Sequence, residues 1–353
     1  MALRTIQWAT GSVGKAAIDC IARHPELELA GCWVHSKDKH GKDVGEIVGA
    51  EPLGVTATSS IDDILAIDAD AVVYAPLIPN PDEVAALLWS GKNVVSPVGW
   101  FYPPERQAAP LAAACAEGGV SLHGTGIHPG GVTEIFPLAF SAVSSAVTFV
   151  RAEEFSDIRT YGAADVVRHI MCFGGTREEA ESGPMLELLT GGFRQSIHMV
   201  LAALGLARRA EIRTNHAVAV ATAPIDSPIG PIEPGKVAAQ RFHWEAVVGG
   251  DVVVRAGVNW LMGEKDLDPA WNFGPEGERF EVEVKGNPDT FVTIKGWQPE
   301  TVEAGLVSNP GIVATAAHCV NAVPYVCAAP AGIVTSLDLP LVTGRADPNL
   351  IGG

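Results

Sequence analysis

Three groups of residues in this chain have the types and spacing that chemistry asks for. The first is Ala9-Thr10-Gly11-Ser12-Val13-Gly14, a glycine-bearing turn set between a strand-forming run, Arg4 to Trp8, and the helical spacing of Ala16 to Ile21. Backbone amides at a helix start have no partner within the helix, and the helix dipole adds partial positive charge there, so the turn suits a phosphate or pyrophosphate. Gly11 lets the backbone approach the anion and Gly14 lets the helix approach the strand, although Ala9 stands where the G-x-G-x-x-G pattern has its first glycine. The second is Glu105, which follows Trp100-Phe101-Tyr102-Pro103-Pro104. Spacing alone leaves two roles open for it: an acid favoured by the dipole in the first turn of a helix, or a carboxylate partly desolvated by aromatic neighbours, whose raised pKa would suit proton transfer. The third is His128, in the glycine-rich run Gly124 to Gly131, where it is either a structural hydrogen-bonder or a side chain that meets a reacting group.

An alternating order of strands and helices must position these groups. Leu27 to Val34, Ala71 to Ala75, Asn93 to Ser96 and Val120 to Leu122 read as buried strands, with helices over Ile61 to Leu65, Pro81 to Ser90 and from Pro103 to Ala116. That order predicts an α/β Rossmann unit, a doubly wound parallel sheet whose loops after the strand ends, Ala75-Pro76 and Pro97-Val98-Gly99, face the dinucleotide. The second strand ends in His35-Ser36-Lys37 with no acid before Asp38, and such donors suit a 2′-phosphate, so NADP is expected ahead of NAD.

Beyond about Val132 the texture changes to longer alternating segments: Val147 to Phe155, Glu211 to Val220, Gln240 to Val248, Asp251 to Trp260, Phe280 to Lys285 and Phe291 to Ile294. Period-two alternation predicts a second, α+β domain on a largely antiparallel sheet with one wet face. Helices are expected over Glu134 to Ser144, Ala163 to Cys172, Thr176 to Leu189, Phe193 to Leu204 and Gly311 to Ala322, the last ended by Pro324. The expected division is residues 1–130 completed by 309–353, and residues 131–308.

Composition narrows the function. With 24 Lys plus Arg against 41 Asp plus Glu, a net charge of −17 argues against nucleic-acid and anionic-membrane surfaces. The six cysteines, without a C-x-x-C pair, read as buried apolar groups in a reducing cytoplasm, and the histidines show no metal spacing, so no metal is expected. Neither a secretory leader nor an apolar run of membrane-spanning length is expected.

The stretches ATGSVGKAAI, GWFYPPER, GTGIHPGG, CFGGTREEAE and HCVNAVPYVCAAPAGIVTSLDLP together resemble the dihydrodipicolinate-reductase-like superfamily. Within it they look like the branch of 2,4-diaminopentanoate dehydrogenase and the native amine dehydrogenases. The H-H-x-x-K and P-S-G-T segments of the superfamily's namesake do not occur between Glu153 and Gly175, so the namesake reaction is not expected. His128 stands where diaminopentanoate dehydrogenases tend to have Asn, which leaves the substrate open. The resemblance implies an enzyme interconverting an amine with an aldehyde or ketone plus ammonia, a Rossmann domain completed by the C-terminal helix, a homodimer, and Glu105 as the catalytic carboxylate. On that reading Thr10 to Gly14 hold the pyrophosphate and Ser36 with Lys37 the 2′-phosphate. Asn321 reaches the nicotinamide or caps a helix end, while Tyr161, Met171 and Phe173 line an apolar pocket or belong to plain core. A reductase of imines or carbonyls that never uses free ammonia, and an NADP-binding regulatory protein without chemistry, are the rival readings.

Overall fold

The computed structural model describes residues 2–207, 209–347 and 350. It divides into two compact units, one of Met1–Gly130 with Ile312–Gly353 and one of Gly131–Gly311.

In the first unit six strands, β1 (Leu3–Trp8), β2 (Leu27–Trp33), β3 (Ala57–Thr58), β4 (Ala71–Tyr74), β5 (Asn93–Ser96) and β6 (Ser121–Gly124), join a closing strand, Gly332–Ile333. All pair in parallel, in the order closing strand, β6, β5, β4, β1, β2, β3. β4 is buried along its whole length and reads as a short apolar run, while β5 and β6 bury Val94, Val95 and Leu122 with Ser96, Ser121 and His123 among them. Because the chain order reverses between β1 and β4, the loops at their carboxyl ends diverge and open a crevice, the usual ligand position in such sheets. Helices α1 (Ser12–Arg23), α2 (Val44–Val48), α3 (Ile61–Ala66), α4 (Pro81–Trp89) and α5 (Glu105–Gly118) connect the strands.

The last helix, Pro310–Cys327, packs Ala316, Cys319, Val320, Ala322, Val323 and Val326 against Ala17, Ile21, Ala71, Val73 and Val95. It does not end before Pro324 but runs through it. A proline inside a helix costs about 3 kcal/mol, and the burial of Val323 and Val326, one on each side and both fully buried, offsets that at roughly 1.5–3 kcal/mol each.

The C-terminal segment also sets the state of a buried histidine. His123, on β6, is 1% exposed, and its Nδ1 lies 2.8 Å from the Val334 carbonyl oxygen. A carbonyl only accepts, so Nδ1 carries the proton, and burial pulls the imidazole pKa from 6.5 down to about 4. Below pH 6.5 the unfolded chain therefore binds the proton first. Stability present above pH 6.5 is expected to fall by roughly 3 kcal/mol as pH drops toward 4, and urea midpoints at pH 7 and pH 4.5 should show a fall that His123→Gln reduces.

The second unit carries β7 (Phe149–Asp157), β8 (Glu211–Ala221), β9 (Val237–Val248), β10 (Asp251–Leu261), β11 (Leu267–Asp268), β12 (Arg279–Lys285) and β13 (Thr290–Ile294) in the order β11, β8, β9, β10, β7, β12, β13. Every pair is antiparallel except β10 with β7. One face is apolar: Val150, Phe242, Trp244, Ala246, Val254, Ala256 and Val258 pack with Phe193, Ile197, Val200 and Leu201 of the helix Met185–Ala203. The other is ionic, with Arg151 bonded to Glu153, Glu281 and Glu283 at 2.7, 2.6 and 2.9 Å, and Arg279 to Glu281 at 2.6 Å.

The helices of this unit depart from their expected bounds. Instead of Thr176 to Leu189 and Phe193 to Leu204, the chain forms Arg177–Ser182 and Met185–Ala203, broken at Gly183-Pro184 and continuous through Gly191-Gly192. A side chain at Gly183 would meet Glu179 O at 2.8 Å and Cys172 Sγ at 3.0 Å, so the break is where the packing is tight, whereas a Cβ at Gly191 meets nothing within 4 Å. Where a helix is expected over Glu134 to Ser144, a π-helical turn, Gly131–Ile135, leads into the helix Phe136–Ser141, and the stretch Ala163 to Cys172 holds a second such turn, Val166–Ile170, a geometry found mostly as single turns and frequently at functional sites. No helix among the described residues is long and apolar enough to cross a membrane.

Candidate active site

The turn after β1 is built from backbone. Gln7 Nε2 donates to the carbonyls of Trp8 at 2.9 Å and Ala9 at 3.0 Å, and Ala9 N donates to Trp33 O at 2.9 Å. Gly14 is required by contact, since a Cβ there would lie 2.2 Å from Ala9 O and 2.9 Å from Ala9 C. Ala9 adopts φ +73°, the left-handed region where glycine is at home, so the alanine is strained at the place the motif gives to glycine. At Gly11, which precedes α1, a Cβ meets nothing within 4 Å, no side chain caps the helix, and its first turn holds no acid. Thr10, Gly11, Ser12 and Val13 thus frame an uncapped helix start with open space beside it, the arrangement that accepts a phosphate.

Beside this turn lies a residue that motif reading missed. Lys39 Nζ donates to Thr10 Oγ1 at 3.1 Å, which brings an ammonium to the turn, while Lys37 and His35 are exposed. The Ser36 hydroxyl donates to Asp38, and that bond, first among its causes, holds the Asp38 carboxyl below its usual range. An acid therefore engages the hydroxyl expected to be free for a 2′-phosphate. Only the run Lys37-Asp38-Lys39 hinted at this, because which lysine turns inward depends on the one-turn 3-10 helix that those residues form. Trp33 stacks on Trp8 with ring centroids 4.5 Å apart, and Tyr74 lies 5.5 Å beyond Trp8, so aromatic rings line the carboxyl ends of β2, β1 and β4.

Ala75 and Pro76 follow β4, and Ala75 N donates to Trp8 O at 3.2 Å. Gly99 follows β5 and is pinned against β6, for a Cβ at Gly124 would lie 2.1 Å from Gly99 O. The next residue, Trp100, has φ +60°, a second strained non-glycine position at the same end of the sheet. Glu105 then opens α5 after Pro104. Trp100 and Phe101 are buried and Tyr102 is half-buried, yet Glu105 itself is exposed. The burial expected from its aromatic neighbours is not found: Trp100 packs into the core of the sheet, while Glu105 lies exposed at the start of α5.

His128 is half-buried on the crossing after β6. The crossing is tied to the last helix by Thr125, whose hydroxyl lies 2.9 Å from His318 Nδ1 and whose carbonyl accepts from Cys319 Sγ at 3.6 Å. Burial lowers the His318 pKa. Asn321, one turn along, sits mid-helix and not at an end, which removes the capping role; its Nδ2 would lie 3.8 Å from a Cβ at Gly344.

In the second unit Tyr161, Met171 and Phe173 do come together, in one cluster with Ile158, Val167, Ile229, Leu261 and Phe273. Phe173 is fully buried and Met171 is 4% exposed, which makes them core; half-buried Tyr161, its pKa raised by burial, packs against the cluster's edge.

Residues 132–348 match the family model of the 2,4-diaminopentanoate dehydrogenase C-terminal domain, and residues 5–75 that of the dihydrodipicolinate reductase N-terminus. An amine dehydrogenase of Streptomyces virginiae is 31% identical over 356 residues, 96% of either chain. A 2,4-diaminopentanoate dehydrogenase of Acetoanaerobium sticklandii is 24% identical over 96% of this chain and 94% of its own length. Among solved structures, an amine dehydrogenase from Mycobacterium smegmatis superposes with a TM-score of 0.79 at 21% identity, covering 98% of both chains.

Proposed function

The chain belongs to the family of 2,4-diaminopentanoate dehydrogenase and the amine dehydrogenases, and from that membership we propose that it carries out reductive amination of small apolar aldehydes or ketones with ammonia, and the reverse oxidative deamination. It is an oxidoreductase. The observation that carries its dinucleotide part is the turn Ala9 to Gly14, an uncapped helix start with room at Gly11.

On this reading Thr10 to Gly14 receive the pyrophosphate of a nicotinamide dinucleotide, and the loops at Ala75, Pro76 and Gly99 with Asn321 border its nicotinamide half. The cofactor, when bound, supplies hydride to the carbon of the substrate's imine. Glu105 manages protons: its carboxylate takes one from ammonium so that free ammonia can attack the carbonyl carbon, and returns one to the oxygen that leaves as water. His128 is the candidate to orient the carbonyl oxygen, and Tyr161 with Met171 and Phe173 forms or backs the apolar wall against the substrate's alkyl part. The unit Gly131–Gly311 is the substrate and dimerisation domain of a cytoplasmic homodimer.

NADP is the favoured dinucleotide, with NAD also accepted. Lys39, joined by Lys37, supplies charge for a 2′-phosphate, while Asp38 and Ser36 suit a free ribose hydroxyl. Lys39→Ala is expected to raise the KM for NADPH about tenfold, a loss of about 1.4 kcal/mol, and to leave that for NADH nearly unchanged; equal effects on both cofactors would remove Lys39 from the 2′ site.

The test of the function is NADPH consumption with a panel of small aldehydes and ketones at alkaline pH, with and without excess ammonium, and NADH in parallel. Turnover that needs ammonium is the expected result. Turnover indifferent to ammonium would transfer the chain to the imine or carbonyl reductase reading.

A further inference from the structure

The arginines on the ionic face of the second unit's sheet bond glutamates, with one exception. Arg151 and Arg279 hold Glu281 between them, Arg255 donates to Glu245 at 2.7 Å and Arg213 to Glu211 at 3.2 Å. Arg241, on β9, makes no hydrogen bond or ion pair among the described residues, and its Nε is buried without a partner. What it has is an aromatic ring, for its guanidinium carbon stands 4.3 Å from the centre of Trp271. Stacking on an indole holds the side chain in place while its donors stay free in their own plane.

The register shows why no neighbour neutralises this cation. Arg241 pairs with Ala217 of β8 on one side and with Asn259 of β10 on the other. Ala217 carries no polar side-chain atom, and Asn259 spends its amide hydrogens on Glu153 Oε1 at 2.9 Å and the Glu154 carbonyl at 3.0 Å. Glu153 is already held by Arg151 Nη1 at 2.7 Å and lies 3.4 Å from His243 Nε2. Gly257 makes that arrangement possible: a Cβ there would stand 2.9 Å from Glu153 Cγ and 3.0 Å from His243 Cδ2, so the two side chains close over bare backbone. Burial lowers the Arg241 pKa and Glu153 opposes this, yet a guanidinium stays charged. Half-buried, it is screened less than a surface charge and gains from any anion that reaches it.

We propose that Arg241 and Trp271 form a carboxylate-binding site. The terminal nitrogens of a guanidinium match two carboxylate oxygens side by side, and Trp271 and Ala217 suit a short apolar chain behind them. Phosphate, which the same fork matches, would bring a second negative charge into the field of Glu153. Every residue of the site belongs to the unit Gly131–Gly311, and the inference goes beyond the amine dehydrogenase reading without depending on it. Two sources offer the carboxylate: a small free acid, or an aspartate or glutamate of a second copy of the chain.

Tryptophan emission, melting temperature and particle mass of the full-length protein separate these sources. At pH 7 and fixed ionic strength, butanoate is expected to change the emission with a Kd of about 1 mM and to raise the melting temperature, while phosphate binds at least about tenfold more weakly. Arg241→Gln should lose both effects. Arg241→Lys, which keeps the charge but not the fork, should weaken binding about tenfold, and Trp271→Leu should lose the emission change but keep part of the melting shift. If Arg241→Gln fails to fold, Arg241→Lys and the comparison with phosphate carry the test. Should butanoate do nothing while Arg241→Gln alone lowers the mass found by light scattering, the carboxylate belongs to a second copy. Phosphate bound as tightly as butanoate, butanoate binding that Arg241→Gln leaves unchanged, or neither binding nor a change in mass, would overturn the site.

Discussion

Glu105→Gln is expected to lower ammonia-dependent turnover by about 10³-fold, within the range that a positioned acid-base group contributes, while NADPH binding stays within about twofold. Glutamine keeps the size and the hydrogen-bonding reach of the side chain but neither accepts a proton from ammonium nor passes one to departing water. Because Glu105 is exposed in the first turn of α5, the substitution removes only a helix-dipole interaction, worth about 0.3–1 kcal/mol. A lost rate with an unchanged melting temperature is therefore chemistry and not unfolding. Steady-state rates with saturating ammonium, beside a fluorescence titration of NADPH, make the measurement. If kcat stayed within a few-fold of the wild type, the proton-handling role would pass to another residue.

Gly14→Ala is expected to be as damaging for a different reason. The added methyl would stand 2.2 Å from Ala9 O, a backbone atom, and it is fixed to a Cα that α1 holds in place. The turn would have to move, at a cost of about 1–3 kcal/mol by analogy with overpacking, and with it the amides that face the pyrophosphate. A fall in melting temperature should accompany a loss of NADPH affinity of at least about 100-fold. Gly11→Ala makes the contrast, since nothing lies within 4 Å of its Cβ: folding should be unaffected and dinucleotide affinity reduced, because the methyl occupies the space left for the phosphate. Ala9→Gly runs the other way, and relief of φ +73° should stabilise the chain by about 1 kcal/mol. A Gly11→Ala variant that bound NADPH as the wild type does would move the pyrophosphate off this turn.

The parts of this fold that could be read from sequence are those whose signal is local. β4 and β5 announce themselves as short buried runs, α4 by Pro81 at its start, and the period-two segments of β8 to β10 by one polar and one apolar face. What escaped depends on contacts distant in sequence. Pro324 stays helical because Val323 and Val326 are buried under residues such as Ala17 and Val73. Gly332–Ile333 is two residues long and is a strand only because Ser121 and Leu122 receive it. The site divides in the same way: the turn at Gly11 and Gly14 was legible, whereas Lys39 on Thr10 and the exposure of Glu105 are matters of side-chain direction.

The first unit is written in two pieces, with the second unit placed between them. Ser121 Oγ donates to the Pro330 carbonyl 209 residues later, and β6 has its outer neighbour only when Gly332 arrives. At synthesis rates of roughly 5–20 residues per second, that strand waits roughly 10 to 40 s with one edge unpaired, long enough for the intervening unit, continuous in the chain, to fold ahead of it. On the ribosome the module made first would then be the module finished last, and a partner that shields a bare sheet edge would find its substrate in the nascent N-terminal half.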